Sequence, residues 1–424
     1  MRPQEMTKQE LAAFKAEALK QYEDYKALGL SLNMARGKPG AEQLALSAGL
    51  LDCLTAADFA ETDKNIFNYG GLDGIKEAKE LFAPMLGLSP ENVIVFGNSS
   101  LNIMYDCISR CYTFGAGKGL TPWKDCGKVK WLCPVPGYDR HFAITELFGF
   151  EMINVPVDEN GPDMDMIERL VAEDESIKGI WCVPMYANPT GITYSDETVR
   201  RMAALKPAAK DFRIFWDNAY CIHHLTDTPD KLLNLYDELA KNGSEDMVYM
   251  FASTSKVTFP GSGVAVMGAS KANLDFVKST MTIQTIGHDK LNMLRHVRFF
   301  GGKFENVTAH MQKHRAVLEP RFKVVVDTLE RELGGTGMGS WHSPNGGYFV
   351  SFNGMNGTAK RIVQLCKEAG VTLTGAGATF PYGKDPDDKN IRIAPTFPSV
   401  EELQKAMDIF VLAVKLASAE VLGA

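Results

Sequence analysis

Apolar side chains recur at helical spacing between residues 7 and 28 (Leu11, Phe14, Ala18, Tyr22, Tyr25), and Gly29 supplies a stop. The chain therefore opens with an amphipathic helix. From about residue 73 to 270 the pattern changes to short apolar runs alternating with helical stretches. The runs fall at 92–96, 129–133, 152–157, 179–183, 212–216, 247–252 and 264–267. Seven such strands separated by helices predict an α/β large domain with a mostly parallel seven-stranded sheet flanked by helices. Beyond Gly301 come a long helical region to Glu332, the strand-like GGYFVSF (346–352), a helix over 358–369, the strand-like IRIAP (391–395) and a closing helix over 400–419. This second pattern predicts a smaller α+β domain. No internal repeat or Gly/Ser linker separates the two, so a continuous helix near 300–330 is expected to join them. The expected organisation is an N-terminal helix and arm (1–45), a large domain (46–300) and a small C-terminal domain (301–424).

Composition narrows the function classes. At 424 residues, with 45% apolar and 23% charged, the chain has the make-up of a globular protein of two domains. The 45 Lys and Arg are interspersed among 52 Asp and Glu with no basic run, which argues against a nucleic-acid or anionic-membrane partner. The longest apolar runs, such as 409–414, are far short of the about 18 residues a spanning helix needs. The first residues are charged throughout and lack a secretory signal, and the eight Cys are irregularly spaced without CxxC. Cys107 and Cys111, one helical turn apart, read as packing residues. A reducing, cytoplasmic compartment is expected.

Common motifs fall away. GAGKGL (115–120) and GAGATF (375–380) do not complete GxGxxG after a strand, and neither a P-loop nor GxSxG occurs. His310 and His314 stand at i, i+4 in HMQKH without the Glu of HExxH, among polar neighbours, which predicts a solvated helix face rather than a metal site. The adjacent His223 and His224 point to different sides of any regular element. No metal ligand set is expected.

What remains sits after consecutive strands, where ligands bind in open α/β sheets. Gly97, Asn98, Ser99 and Ser100 lead into a helix, which makes either a phosphate site or a plain serine cap. Tyr138 follows the Pro136–Gly137 turn, and Asn188 with Pro189 forms another before Ser195 caps a helix. Asp217 ends an apolar run and wants a cationic or hydrogen-bonding partner. Lys256 follows Ser253, Thr254 and Ser255; alone it reads as a snorkelling lysine. Together, an anion nest, an aromatic ring, an Asn turn, a buried Asp and a Lys match what pyridoxal phosphate requires: donors for a phosphate, an amine for an aldehyde and a carboxylate for a pyridine nitrogen. Asn188 and Tyr220 could serve its phenolic oxygen, and Tyr138 could stack on its ring.

These residues belong to longer stretches: NYGGLDGIKEAKELF (68–82), VFGNSSLN (95–102), PGYDRHF (136–142), ANPTG (187–191), WDNAY (216–220), STSK (253–256), GGYF (346–349) and RIAPTFP (392–398). Their order and spacing across nearly the whole chain resemble the fold-type I pyridoxal-phosphate aminotransferases, and within them the class I-related, aspartate aminotransferase-like group sometimes filed with MocR-type aminotransferase domains. The resemblance implies Lys256 as the Schiff-base lysine, Asp217 at the pyridine nitrogen, Asn188 and Tyr220 at the phenolic oxygen, Tyr138 as the stacking ring, and Asn98, Ser99, Ser100 and Ser253 near the phosphate. Tyr69 is similar to the tyrosine that reaches the partner subunit's phosphate, which implies a homodimer with shared active sites. Arg392 matches the arginine that clamps the substrate α-carboxylate. Two departures stand out. Gly263 falls where relatives place a phosphate-binding arginine, leaving Ser262 and the amides of Gly261 to Gly263 as substitutes. In NMARGKPG (33–40), Gly37 fits a glycine near the substrate carboxylate, while Arg36 and Lys38 add charge, either surface charge or a site for a second carboxylate.

The expectation is a cytoplasmic, homodimeric aminotransferase moving an amino group from an amino acid, L-aspartate first among them, to a 2-oxo acid such as 2-oxoglutarate by a ping-pong mechanism. The alternatives are another reaction on the same fold, a β-elimination lyase or decarboxylase, and a pyridoxal-phosphate-sensing regulator. Only about 35 residues precede the first site motif, too few for a helix-turn-helix domain.

Overall fold

A computed structural model describes residues 2–424. The opening helix runs Lys8–Lys26, where Thr7 and Glu10 form a capping box. It packs on the closing helix Val400–Val421, and Tyr22 donates from its hydroxyl to the carbonyl of Leu365 at 2.8 Å. A short strand follows, β1 (Leu32–Asn33).

The large sheet has eight strands: β2 (Val93–Val95), β3 (Lys130–Val135), β4 (Glu151–Asp158), β5 (Gly161–Pro162), β6 (Ile177–Cys182), β7 (Arg213–Asp217), β8 (Val248–Ser253) and β9 (Ala265–Gly268), in spatial order β2-β9-β8-β7-β6-β3-β4-β5. The seven predicted runs are all strands. The eighth, β5, is a two-residue antiparallel return on β4, too short to carry a periodic signal. From β8 through β4 neighbours are parallel; β9 is antiparallel to both β8 and β2. The inner strands are buried along their whole length, which is why they read as continuous apolar runs rather than alternating ones. One face packs on a cluster including Phe82, Ile167, Met202 and Leu239, the other on one including Ile108, Trp123, Trp131 and Phe150.

Packing under β6 is tight. A Cβ added at Gly179 would overlap the Trp131 ring and lie 2.7 Å from the Arg213 carbonyl oxygen. Gly179→Ala is expected to destabilise the fold by about 1–3 kcal/mol, the usual cost of overpacking, read as a lower midpoint in urea with an unchanged m-value.

The remaining strands are β10 (Gly339–Trp341), β11 (Val350–Gly354), β12 (Val371–Thr372) and β13 (Asn390–Ile393). β10, β11 and β13 form an antiparallel sheet, and β12 pairs with β1 of the arm. These strands, the arm and the closing helix share a third apolar cluster. The helix Phe304–Leu333 contributes Val307 and Met311 to the large-sheet core and Leu318, Phe322, Val325 and Leu329 to this one. One rigid rod thus roots in both cores. On it, His310 (5% exposed) and His314 (0%) are buried, not solvated as their polar neighbours suggested, because they lie on the same stripe as Val307, Met311 and Leu318. Among the described residues no helix is long and apolar enough to cross a membrane.

Candidate active site

The carboxyl ends of β2, β3, β6, β7 and β8 open on one edge of the sheet, and a cavity of about 500 Å³ lies over them. Its walls include Ser99, Ser100, Tyr138, Asn188, Asp217, Tyr220, Ser253, Ser255 and Lys256 from the large sheet, Arg36 and Gly37 from the arm, and Phe349, Thr374 and Arg392 from the C-terminal part. Residues up to 356 positions apart in sequence thereby meet in one crevice.

Asp217 is the last residue of β7. Its Oδ2 accepts the Nε2–H of the buried His141 at 3.0 Å, and that imidazole is stacked on Trp181. Oδ1 is buried and has no partner among the described residues. Lys256 lies three residues beyond β8, with Nζ 4.9 Å from the centroid of the Tyr220 ring and 5.6 Å from that of Tyr348. Burial lowers its pKa; Asp217 opposes the shift and Arg392 adds to it. Burial likewise pushes the Tyr138 phenol up to about 12, with Asp217 and Asp139 adding to the rise.

Ser99 caps the helix Ser100–Phe114, accepting from the Asn102 amide at 3.4 Å, so the first amides of that helix face the cavity beside two hydroxyls. Ser253 donates to Ser255 Oγ at 3.0 Å, and Ser255 in turn donates to the carbonyl of Asn98 at 3.2 Å. At the opposite end, Arg392 Nη1 bonds Asp139 Oδ1 (2.9 Å) and Asn188 Oδ1 (3.2 Å), Nη2 bonds Thr374 Oγ1 (3.3 Å), and the guanidinium lies 4.8 Å above the Phe349 ring. Gly37 is required there by space: a Cβ would lie 2.7 Å from Cε1 of Phe349.

Four expected site residues lie off the cavity wall. The Asn98 side chain turns to the Pro260 carbonyl (3.1 Å), leaving only its backbone as a support for Ser255. Ser262 closes the turn Pro260–Ser262 with its amide bonded to Phe259, and Gly263 is packed against Thr254, where a Cβ would sit 2.8 Å from Oγ1. A side chain there, an arginine's included, would press on Thr254 from its first carbon, and the amide of Ser262 is already spent on Phe259. Lys38 lies over the Phe397 ring, 4.2 Å from its centroid, which leaves Arg36 as the charge of that pair on the wall. Tyr69 is 83% exposed and away from the cavity of its own chain. Conversely, Asp139, Ser255, Phe349 and Thr374 carry no site role in the sequence reading; PGYDRHF, STSK and GGYF contain the first three, but no local pattern marks Thr374.

Beneath Lys256 runs a buried polar chain. Gln43 donates from its amide to the Tyr348 hydroxyl (2.7 Å) and to His314 Nδ1 (3.1 Å); His314 Nε2 lies 3.1 Å from His310 Nε2, which lies 2.9 Å from the carbonyl oxygen of Val257. The Ser47 hydroxyl reaches the same carbonyl at 3.4 Å. Burial lowers the pKa of His310 and takes that of His314 to about 4.

The sequence profile of the aspartate amino-transferase family matches residues 6–424. This chain belongs to that family. It is 43% identical over 418 residues to an aspartate aminotransferase of Corynebacterium glutamicum, an alignment covering 98% of this chain and 96% of the relative. A crystal structure of an aspartate transaminase from Corynebacterium glutamicum superposes with a TM-score of 0.96 at 42% identity, covering all of both chains. At 19% identity the likeness is one of fold: an α-aminoadipate aminotransferase from Thermus thermophilus, complexed with N-(5'-phosphopyridoxyl)-L-leucine, gives a TM-score of 0.74 over 96% of this chain and 95% of its own. The chain is thus a fold-type I transaminase.

Proposed function

We propose that this aminotransferase moves the amino group of L-aspartate to 2-oxoglutarate in two half-reactions at the crevice over β7 and β8, with pyridoxal 5'-phosphate as cofactor. The observation that carries the reading is the pairing of a buried acceptor, Asp217 Oδ1, with an amine of lowered pKa, Lys256, across one cavity. A buried carboxylate oxygen without a donor is costly. A protonated ring nitrogen is the group that would satisfy it, so the residues fit the cofactor. When bound, the cofactor supplies an electron sink and carries the amino group between the two substrates.

The protein's contribution follows from position and charge. Ser99, Ser100, Ser253, Ser255 and the adjacent helix amides would hold the phosphate, hydroxyls and helix N-terminus replacing the arginine absent at Gly263. His141 fixes the Asp217 carboxylate by holding Oδ2, so that Oδ1 stays aimed at the crevice. Tyr138 would cover one ring face, and Asn188 and Tyr220 would meet the phenolic oxygen. Lys256 Nζ, with its pKa already lowered, is the base that would take the substrate Cα proton and return it. Arg392 would receive the α-carboxylate. Arg36, on the wall with no side-chain hydrogen bond or ion pair among the described residues, is placed to meet a second one.

Aspartate as donor is supported by these two guanidinium groups on one cavity and by the name of the Corynebacterium glutamicum relative. A homodimer is supported by Tyr69, exposed and away from its own cavity beside exposed Phe67 and Ile286, with Gly287 packed on Gly70. A cytoplasmic setting accords with eight free cysteines. The test is kcat/KM for aspartate and alanine in the wild type, Arg36→Met and Arg392→Met. Arg392→Met is expected to damage both donors by about 2–5 kcal/mol, the cost of breaking a buried hydrogen-bonded charge pair. Arg36→Met is expected to weaken aspartate at least tenfold, about 1.4 kcal/mol, and to leave alanine nearly unchanged. Equal losses for both donors in Arg36→Met would refute the dicarboxylate assignment.

A further inference from the structure

Arg392 is already paired inside the protein. Its Nη1 hydrogens go to Asp139 Oδ1 and Asn188 Oδ1, one Nη2 hydrogen goes to Thr374, and Nε is buried without an acceptor among the described residues. A ligand carboxylate entering from the cavity cannot reach Nε, so it meets the fork along its Nη1–Nη2 edge. Both Nη1 hydrogens are spent there. To bind in two-pronged fashion, the ligand must displace one of the two Nη1 acceptors. Asn188 is neutral and buried in the β6 turn, whereas the Asp139 side chain is 33% exposed against 9% for that of Arg392. Asp139 is the first residue of the helix Asp139–Leu147, with its route to solvent open.

We infer that Asp139 is a specificity-determining residue: an internal carboxylate that holds Arg392 until a ligand carboxylate takes its place. The inference rests on the reading of Arg392 as the carboxylate site and adds the competitor. Ligand affinity then measures a difference between two ion pairs. A ligand carrying an amide in place of that carboxylate leaves Asp139 seated and gains little, so the exchange sharpens selection for acids over their amides. With Asp139 displaced but still nearby, its charge also opposes the incoming anion, and removing that charge tightens binding.

The experiment is calorimetric titration of the cofactor-loaded enzyme with succinate and with its diamide, succinamide, in wild type, Asp139→Asn, Asp139→Ser and Arg392→Met. Succinate is expected to bind Asp139→Asn and Asp139→Ser about tenfold more tightly than wild type, with a smaller gain for succinamide. Two variants of different size guard against a local folding defect in one. If wild type binds succinate and Arg392→Met does not, while both Asp139 variants bind it no more tightly than wild type, the competitor role is overturned and Asp139 merely positions the arginine. If Arg392→Met binds succinate as wild type does, the carboxylate site itself is misassigned and the underlying reading fails.

Discussion

Lys256→Ala is expected to abolish turnover while leaving the fold intact. Loss of a general base alone costs about 10²–10⁴-fold, and the proposed role makes the same amine the attachment point for the cofactor aldehyde as well, so both functions would vanish together. Among the described residues no second lysine lines the cavity to take its place. The side chain makes no hydrogen bond among the described residues and its amine lies beside the Tyr220 and Tyr348 rings, so its truncation opens the cavity rather than breaking a network. Borohydride reduction of the loaded wild type followed by peptide mapping is expected to place the pyridoxyl label on Lys256. A label on any other lysine would remove β8 from the centre of the site.

For Asp217 the substitutions separate chemistry from stability. In Asp217→Asn the amide oxygen can still accept from His141, which turns the NH₂ toward the cavity where Oδ1 now lies. A donor there opposes a protonated ring nitrogen. Single-turnover rates with aspartate are expected to fall about 10²–10³-fold, the range for removing one preorganised electrostatic group, with little change in Tm. Asp217→Ala is expected to add a stability loss of about 1–3 kcal/mol, because the buried Nε2–H of His141 then loses its acceptor. An Asp217→Asn enzyme with near wild-type single-turnover rates would show that another group governs the ring nitrogen.

Much of this arrangement is legible in the chain because strands buried on both faces announce themselves as apolar runs, and the residues just after several of these runs line the crevice. Asp217, Asn188, Ser99 and Lys256 are readable for that reason. Residues brought in from the small sheet and arm are not: Thr374 meets Arg392 through the pairing of β12 with β1, which no local spacing encodes. Arg36 and Lys38 look equivalent in sequence, and only the position of Phe397 divides them, since its ring draws Lys38 away. The histidines on the long helix mislead for a different cause. Gln312 and Lys313 beside them are polar, yet the spacing 307, 310, 311, 314, 318 is itself an apolar stripe with two imidazoles in it. Stripe position, rather than the character of adjacent residues, carried the signal.

The chain of Gln43, Ser47, His310, His314 and Tyr348 beneath Lys256 limits how this sequence can drift. Its contacts run from Tyr348 to Gln43, His314, His310 and Ser47 in turn, and the members come from the arm and the residues just after it, the long helix and the entry to β11. Changing His314 alone to an apolar residue strands the Gln43 amide in the interior, and replacing the whole set still strands the Val257 carbonyl and the Gly40 amide that it satisfies. Substitutions here are therefore coupled: a change at one of these positions, remote from one another in the sequence, carries a cost that only a matching change at its bonded neighbour relieves.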